Sequence, residues 1–135
     1  MRAYAYPTGS FRAQCLRVVD GDTVDLLVDL GFHQLGQCRF RLLGVDAPEV
    51  RSASAVERAA AAESKAQLAS WLCPTAVKEV ANLGRWPLRI ETAKDPDHFG
   101  RWLARVYWTE DETGAERCAN EELVIVGLAE VRSRA

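Results

Sequence analysis

The sequence has no excess of positive charge, no long apolar run and no closely spaced cysteine pair. Its 17 Lys and Arg residues face 19 Asp and Glu residues, a net charge of −2. This balance argues against a protein that coats nucleic acid with a broad basic surface, but it allows an enzyme with a local cationic site. No stretch approaches the ~18 apolar residues of a membrane span. The first residues contain no apolar leader, so we expect a cytoplasmic protein that does not associate with membranes.

The four cysteines and two histidines give no metal-binding pattern. The cysteines are scattered, at positions Cys15, Cys38, Cys73 and Cys118. Four cysteines allow three pairings into two disulfides, but an intracellular location favours reduced and mostly buried thiols. His33 and His98 have no partner ligands at the spacing of a zinc site.

The 135 residues have a hydrophobic fraction of 48%, which is ordinary for one globular domain, and we treat residues 1–135 as a single domain. Alternating apolar residues predict five strands. They cover about residues 11–19, 23–29, 38–45, 88–92 and 102–108. Asp20-Gly21-Asp22 is a strong signal for a hairpin turn between the first two strands.

Helices are predicted after the third and fifth strands. Ser54 and Glu57 form the pattern of a capping box at the start of an Ala-rich helix that Pro74 ends. A short helix from about residue 119 to 126 ends at Gly127. The segment 82–87 is expected to be a loop, and an acidic hairpin tip is expected around 110–114. This order predicts a mainly β, α+β fold: a five-stranded OB-fold barrel with two or three packed helices.

Three carboxylates stand where strands end. Asp22 falls on the same strand parity as the apolar Val24, and a carboxylate directed toward a barrel interior is costly unless it is paired or bound to a metal. Asp46 and Glu49 follow the third strand. Two carboxylates and a backbone carbonyl would make a nucleus for a hard divalent cation. The alternative is that Asp22 shapes the hairpin turn and Glu49 is a surface residue.

Two arginines complete the candidate site. Arg41 lies five residues before Asp46, and Arg101 follows Gly100 at the start of the fifth strand. An arginine on a strand is most often part of a solvated face. However, its guanidinium donates two parallel hydrogen bonds and keeps its charge, which suits a phosphate that gains negative charge in a transition state.

Four motifs give the chain a resemblance to the thermonuclease, or staphylococcal nuclease-like, family. They occur in the family's order between residues 19 and 129. They are Val19-Asp20-Gly21-Asp22-Thr23, the run from Phe40 to Glu49 (FRLLGVDAPE), the run from Asp97 to Ala104 (DHFGRWLA), and Asn120-Glu121-Glu122-Leu123-Val124 with Gly127-Leu128-Ala129.

The resemblance implies an OB-fold barrel that binds one calcium ion. Asp22 and Asp46 match the family's carboxylate ligands. Ala47 stands where the type member has Thr, but that residue contributes its main-chain carbonyl, so the substitution keeps the ligand. The implied activity is hydrolysis of DNA and RNA to products with 3′-phosphates, and we expect a monomer.

The resemblance also assigns roles in catalysis and substrate binding. Glu49 matches the general base, and Arg41 and Arg101 match the two arginines that bind the phosphate and stabilise the transition state. Phe99 replaces a Tyr at the nucleotide site, which keeps a stacking face and loses a hydroxyl donor. His98 replaces a neighbouring Lys.

Two other functions are compatible with an OB-fold. One is a non-catalytic nucleic-acid-binding domain, and the other is a degenerate nuclease-like domain used for protein interaction. Both predict loss of the acidic and arginine residues, whereas all five catalytic and ligand side chains are present here.

Overall fold

The computed structural model describes residues 9–73, 86–110 and 113–132. In these segments the chain forms eight strands and two helices. In chain order they are β1 (Gly9–Asp20), β2 (Thr23–Asp29), β3 (Leu35–Leu42), β4 (Val45–Asp46), α1 (Ala55–Leu72), β5 (Leu88–Lys94), β6 (Trp102–Thr109), β7 (Glu116–Cys118), α2 (Ala119–Ile125) and β8 (Glu130–Val131).

The main sheet closes on itself as a five-stranded barrel. Its strand order is β3-β2-β1-β5-β6-β7, and β3 also pairs with β6. The closing β3–β6 pair is parallel, and the neighbouring pairs are antiparallel. Apolar residues on alternate strand positions fill the barrel, including Val24, Leu26, Phe40, Ile90 and Val106. The predicted α+β OB-fold with two packed helices is therefore confirmed.

The predicted third strand is broken in two. β3 ends at Leu42 and the short β4 begins at Val45. Gly44 between them has a φ of +78°, a backbone conformation that residues with a Cβ rarely adopt. The prediction of one strand over 38–45 was wrong because the apolar pattern continues through this turn. β4 then leaves the barrel and pairs with β8.

Both helix signals are confirmed, with one difference at the start of α1. Ser54 is the N-cap, and its side chain accepts from the Glu57 N–H at 3.3 Å. The Glu57 carboxylate does not accept a hydrogen bond from the Ser54 N–H, as it would in a capping box. It accepts from the Ser52 hydroxyl instead, at 2.8 Å. At the end of α2, the Leu128 N–H donates to Leu123 O at 2.9 Å, and Gly127 has a φ of +78°. This geometry is a Schellman motif with glycine at the expected place.

Three predicted features lie wholly or partly outside the described residues. They are Pro74 as the helix stop, most of the loop over 82–87, and two residues of the acidic tip over 110–114. No helix among the described residues is long and apolar enough to cross a membrane.

The expectation of four reduced thiols is wrong for two of them. Cys15 of β1 and Cys73 at the end of α1 form a disulfide, with their Cα atoms 5.4 Å apart. Cys38 and Cys118 are free. The pair was missed because the two residues are 58 positions apart in sequence, and they become neighbours only when α1 packs on β1.

Candidate functional site

Two of the predicted carboxylates meet on one arginine at the end of the barrel. Arg41 Nη2 lies 3.4 Å from Asp22 Oδ2 and also donates to Asp46 Oδ1 and, at 3.3 Å, to the Val45 carbonyl oxygen. The Arg41 and Asp22 side chains are each only 14% exposed, whereas that of Asp46 is 48% exposed. We call Asp22, Arg41 and Asp46 the carboxylate–arginine cluster.

Three separate segments position this cluster. Asp22 lies in the β1–β2 turn, Arg41 near the end of β3, and Asp46 in β4. The β2–β3 ladder pairs Arg41 with Thr23, the residue after Asp22. The backbone of Asp22 accepts from the Leu42 N–H at 2.7 Å. The backbone pairing of β2 and β3 alone therefore places Arg41 next to Asp22.

Close packing against α1 fixes the turn itself. A Cβ added to Gly21 would lie 2.3 Å from Ser64 Oγ and 2.8 Å from the Ala47 Cβ. Ser64 is fully buried and donates to the Leu128 carbonyl at 2.8 Å. Gly21 is thus required by the close approach of α1 and of the segment after β4.

The donor set around Asp22 suits a hard cation. Asp22 Oδ2 accepts from the Ala47 N–H at 3.0 Å, which places the backbone of Ala47 next to this carboxylate. In the part of the chain that the structure describes, Asp22 and Asp46 share only one positive group, the guanidinium of Arg41, so the cluster keeps a negative balance that a cation would offset. Oxygen ligands of this kind favour calcium or magnesium over softer metals. Among the described residues no group of three His, Cys, Asp or Glu side chains could hold a metal, so water would have to supply the other ligands.

Glu49 lies outside the carboxylate–arginine cluster. It is exposed, and its carboxylate makes no hydrogen bond or ion pair with any other part of the chain that the structure describes. Its backbone is held, because the Glu49 N–H donates to Glu57 Oε1 at 3.4 Å. Glu57 therefore ties the Glu49 segment to the first turn of α1. A cavity of about 340 Å³ beside this segment is lined by Asp46, Ala47 and Glu57, among others.

Arg101 is paired with a buried aspartate. Its Nε donates to Asp95 Oδ2 at 2.5 Å, and Asp95 is 5% exposed. The Asp97 N–H also donates to Asp95, at 2.9 Å. A cavity of about 220 Å³ lies between Asp95 and Leu42, the residue after Arg41.

Phe99 is almost fully solvent-accessible, at 94%. The ammonium of Lys94 lies 5.2 Å from the centre of its ring, within the range of a cation–π contact. The structure therefore brings Asp22, Arg41, Asp46 and Ala47 together. It does not bring the Glu49, Phe99 or Arg101 side chains into hydrogen-bonding contact with them.

Sequence reasoning missed three residues that support the site. Asp95 was not identified as a candidate from the sequence, and Glu57 was interpreted only as part of a capping box. Asn120 was noted in a motif without a role; it is 3% exposed. Its side chain accepts from the Val106 N–H at 3.1 Å and donates to the carbonyls of Leu43 and Ala104. A polar residue inside an apolar helix pattern was the available signal for Asn120.

A family model described as staphylococcal nuclease homologue matches residues 39–135. The matched segment contains Arg41, Asp46 and Arg101 and begins after Asp22. No curated protein matches the sequence.

Proposed function

The chain belongs to the staphylococcal nuclease homologue family, and from this membership we propose that it is a calcium-dependent nuclease. The proposed reaction is hydrolysis of phosphodiester bonds in DNA and RNA, leaving 3′-phosphates. The match shows the family; the nuclease activity, the metal, the residue roles and the product ends are the proposal.

The observation that carries the proposal is the carboxylate–arginine cluster. Side chains from three segments converge there: two carboxylates that are hard metal ligands and one largely buried guanidinium. Burying such charges is costly unless they pair with each other or with a ligand. Asp46, although it pairs with Arg41, keeps a side chain 48% exposed. The cluster is therefore accessible from solvent on the Asp46 side, where a calcium ion would enter.

Asp22, Asp46 and the main-chain carbonyl of Ala47 would hold the calcium ion. Bound there, calcium supplies Lewis-acid polarisation of the phosphoryl oxygen and orientation of substrate and water. Asp22 and Asp46, which accept hydrogen bonds from Arg41, would then also be ligands of the cation. The contacts that the structure describes for its guanidinium all use Nη2, which leaves Nε and Nη1 to donate to a phosphate.

Glu49 is the proposed general base. It lies three residues after Asp46 in sequence, on a segment whose backbone Glu57 holds, and its side chain is exposed to water. A general base needs a hydrogen-bonding water and an ionised carboxylate at working pH. The proton taken from the attacking water would pass to Glu49 as the new P–O bond forms and the bond from phosphorus to the 5′ oxygen breaks. The leaving 5′ oxygen would take a proton from water, and Glu49 would return its proton to the solvent.

Arg101 is proposed to bind the same phosphate as Arg41 and to neutralise part of its charge. Its pairing with Asp95 orients the guanidinium, and its side chain remains 34% exposed. Two arginines acting on one phosphate stabilise charge that develops in the transition state. Phe99 would stack on a nucleotide with its exposed ring.

The remaining expectations stay predictions: a single domain over residues 1–135, a monomer and a cytoplasmic location. The Cys15–Cys73 disulfide is more typical of proteins in oxidising compartments, so it weighs against the last of these.

Two substitutions test the catalytic roles. Glu49→Gln keeps the size of the side chain and removes the base, so turnover should fall at least about a hundredfold. Arg41→Lys keeps the charge but loses the planar donor geometry, so its turnover should also fall severely. Rates at saturating calcium and melting temperatures are measured for both variants. Lower melting temperatures with a near-parental rate per folded molecule would make both residues structural and would refute the proposed mechanism. Absence of cleavage by the wild-type protein would favour the non-catalytic binding module.

A further inference from the structure

One end of the barrel opens into an apolar pocket that the proposed chemistry does not use. Its volume is about 270 Å³. The walls include three aromatic rings, and the polar groups at its edge are Gln37 and Thr92. The aromatic residues are Phe11, Phe40 and Trp102. We call this space the barrel-mouth pocket.

The strand register explains why Trp102 lines the pocket. Trp102 pairs with Phe40 across the parallel β3–β6 ladder and with Lys94 across β5–β6. Paired residues share a face of a sheet, and Phe40 is 4% exposed and part of the core. Trp102 therefore faces the barrel interior from its rim, where it is only partly buried.

Lys94 connects the pocket to one residue of the proposed substrate site, Phe99. The Lys94 ammonium lies 5.2 Å from the ring centre of Trp102 and 5.2 Å from that of Phe99. Arg101 lies between these two aromatic residues in sequence, and Arg41 follows Phe40. A strand that stacks on Phe99 would thus pass beside the Lys94 ammonium and Trp102 at the opening of the pocket.

We propose that the barrel-mouth pocket binds a nucleobase of single-stranded nucleic acid, with Trp102 as the stacking ring. This rests on the proposed nuclease function and names a further part of its substrate site. The pocket is slightly smaller than typical small-ligand sites of ~300–1,000 Å³, which suits one planar base without its sugar and phosphate. Aromatic walls stack on any base, and the cation at the rim suits the anionic backbone. A base in a duplex is paired and stacked, so the strand must be single.

The test compares Trp102→Leu with a matched control on the same strand, Trp108→Leu. Trp108 does not line the pocket; it stacks on Trp71, with ring centres 5.0 Å apart. A chelator prevents cleavage. Affinity is measured by fluorescence anisotropy for a labelled decathymidylate and for an abasic oligonucleotide of equal length.

Trp102→Leu should weaken binding of the decathymidylate by about 5- to 150-fold and leave binding of the abasic strand unchanged. Trp108→Leu should not alter the ratio of the two affinities. An unchanged affinity of Trp102→Leu for the decathymidylate, or an equal loss on both strands, would overturn the proposal.

A second measurement uses the wild-type protein and does not depend on how the variant folds. Cys38 lines the pocket and is half-buried, Cys118 is buried, and the other two cysteines are paired. Burial, together with the charge of Asp25, raises the pKa of the Cys38 thiol, so alkylation by iodoacetamide is followed at alkaline pH. Thymidine monophosphate should slow alkylation of Cys38, and deoxyribose 5-phosphate should not. Equal rates with both compounds would exclude a base in the pocket.

Cleavage of DNA by the wild-type protein with calcium is measured in parallel. An inactive wild-type protein would refute the proposed function, and the two binding experiments would still decide whether a base enters the pocket. An active protein whose Trp102→Leu variant binds normally would refute base binding in the pocket and leave the proposed nuclease function intact.

Discussion

Reduction of the Cys15–Cys73 disulfide should cost the protein a large part of its stability. The bond links residues 58 positions apart, and closing a loop of this size removes chain entropy from the unfolded state equivalent to about 4 kcal/mol at 25 °C. The Cα separation of 5.4 Å lies within the ordinary range for disulfides, so the native backbone need not move to form the bond. A single domain typically has only ~5–15 kcal/mol of stability in all.

The assay is urea unfolding of the oxidised protein, of the reduced protein and of Cys15→Ser/Cys73→Ser, with Cys38→Ser as the control for loss of a free thiol. The two disulfide-free forms should unfold at clearly lower urea, and Cys38→Ser should match the parent. Alkylation of the unfolded, non-reduced protein should add two groups, because only Cys38 and Cys118 are free. Addition of four groups without reductant, or unfolding midpoints that do not differ, would refute this reasoning.

Two further substitutions test how the site is supported. Gly21→Ala should lower stability by roughly 1–3 kcal/mol, because the new methyl group would overlap Ser64 and Ala47; an unchanged melting temperature would contradict the close packing of the turn. Asn120→Ala should cost roughly 3 kcal/mol, because three backbone groups lose their partner and two of these hydrogen bonds are buried. Asn120→Asp keeps the acceptor for the Val106 N–H and loses both donors, so denaturation curves should place it below the parent; parental stability in both variants would refute the role of Asn120.

Much of the fold could be predicted because its local signals agree with its tertiary structure. The alternation over Thr23–Asp29 predicted β2 with the same first and last residues as in the structure. Gly127 follows the end of α2, as expected. The break at Gly44 was not predicted, because apolar residues continue on both sides of it. The glycine was visible in the sequence, but its positive φ was not.

The support of the site could not be predicted, because it depends on contacts between distant segments. Asp95 is buried against Arg101 only once β5 and β6 pair. Glu57 holds the Glu49 segment rather than its own N-cap. The residue types of Asp22, Arg41 and Asp46 suggested a shared site, whereas the direct bonding of Arg41 to both carboxylates required the structure.

The central proposal is a calcium-dependent phosphodiesterase, and the most direct measurement is the rate of DNA and RNA cleavage with calcium and with excess chelator. The oxygen donors Asp22, Asp46 and the Ala47 carbonyl, without a thiolate or imidazole cluster among the described residues, favour calcium. We predict strong activation by calcium, products that end in 3′-phosphates, and loss of cleavage in the chelator that returns when calcium is restored. Full activity in excess chelator would contradict the assignment of the site.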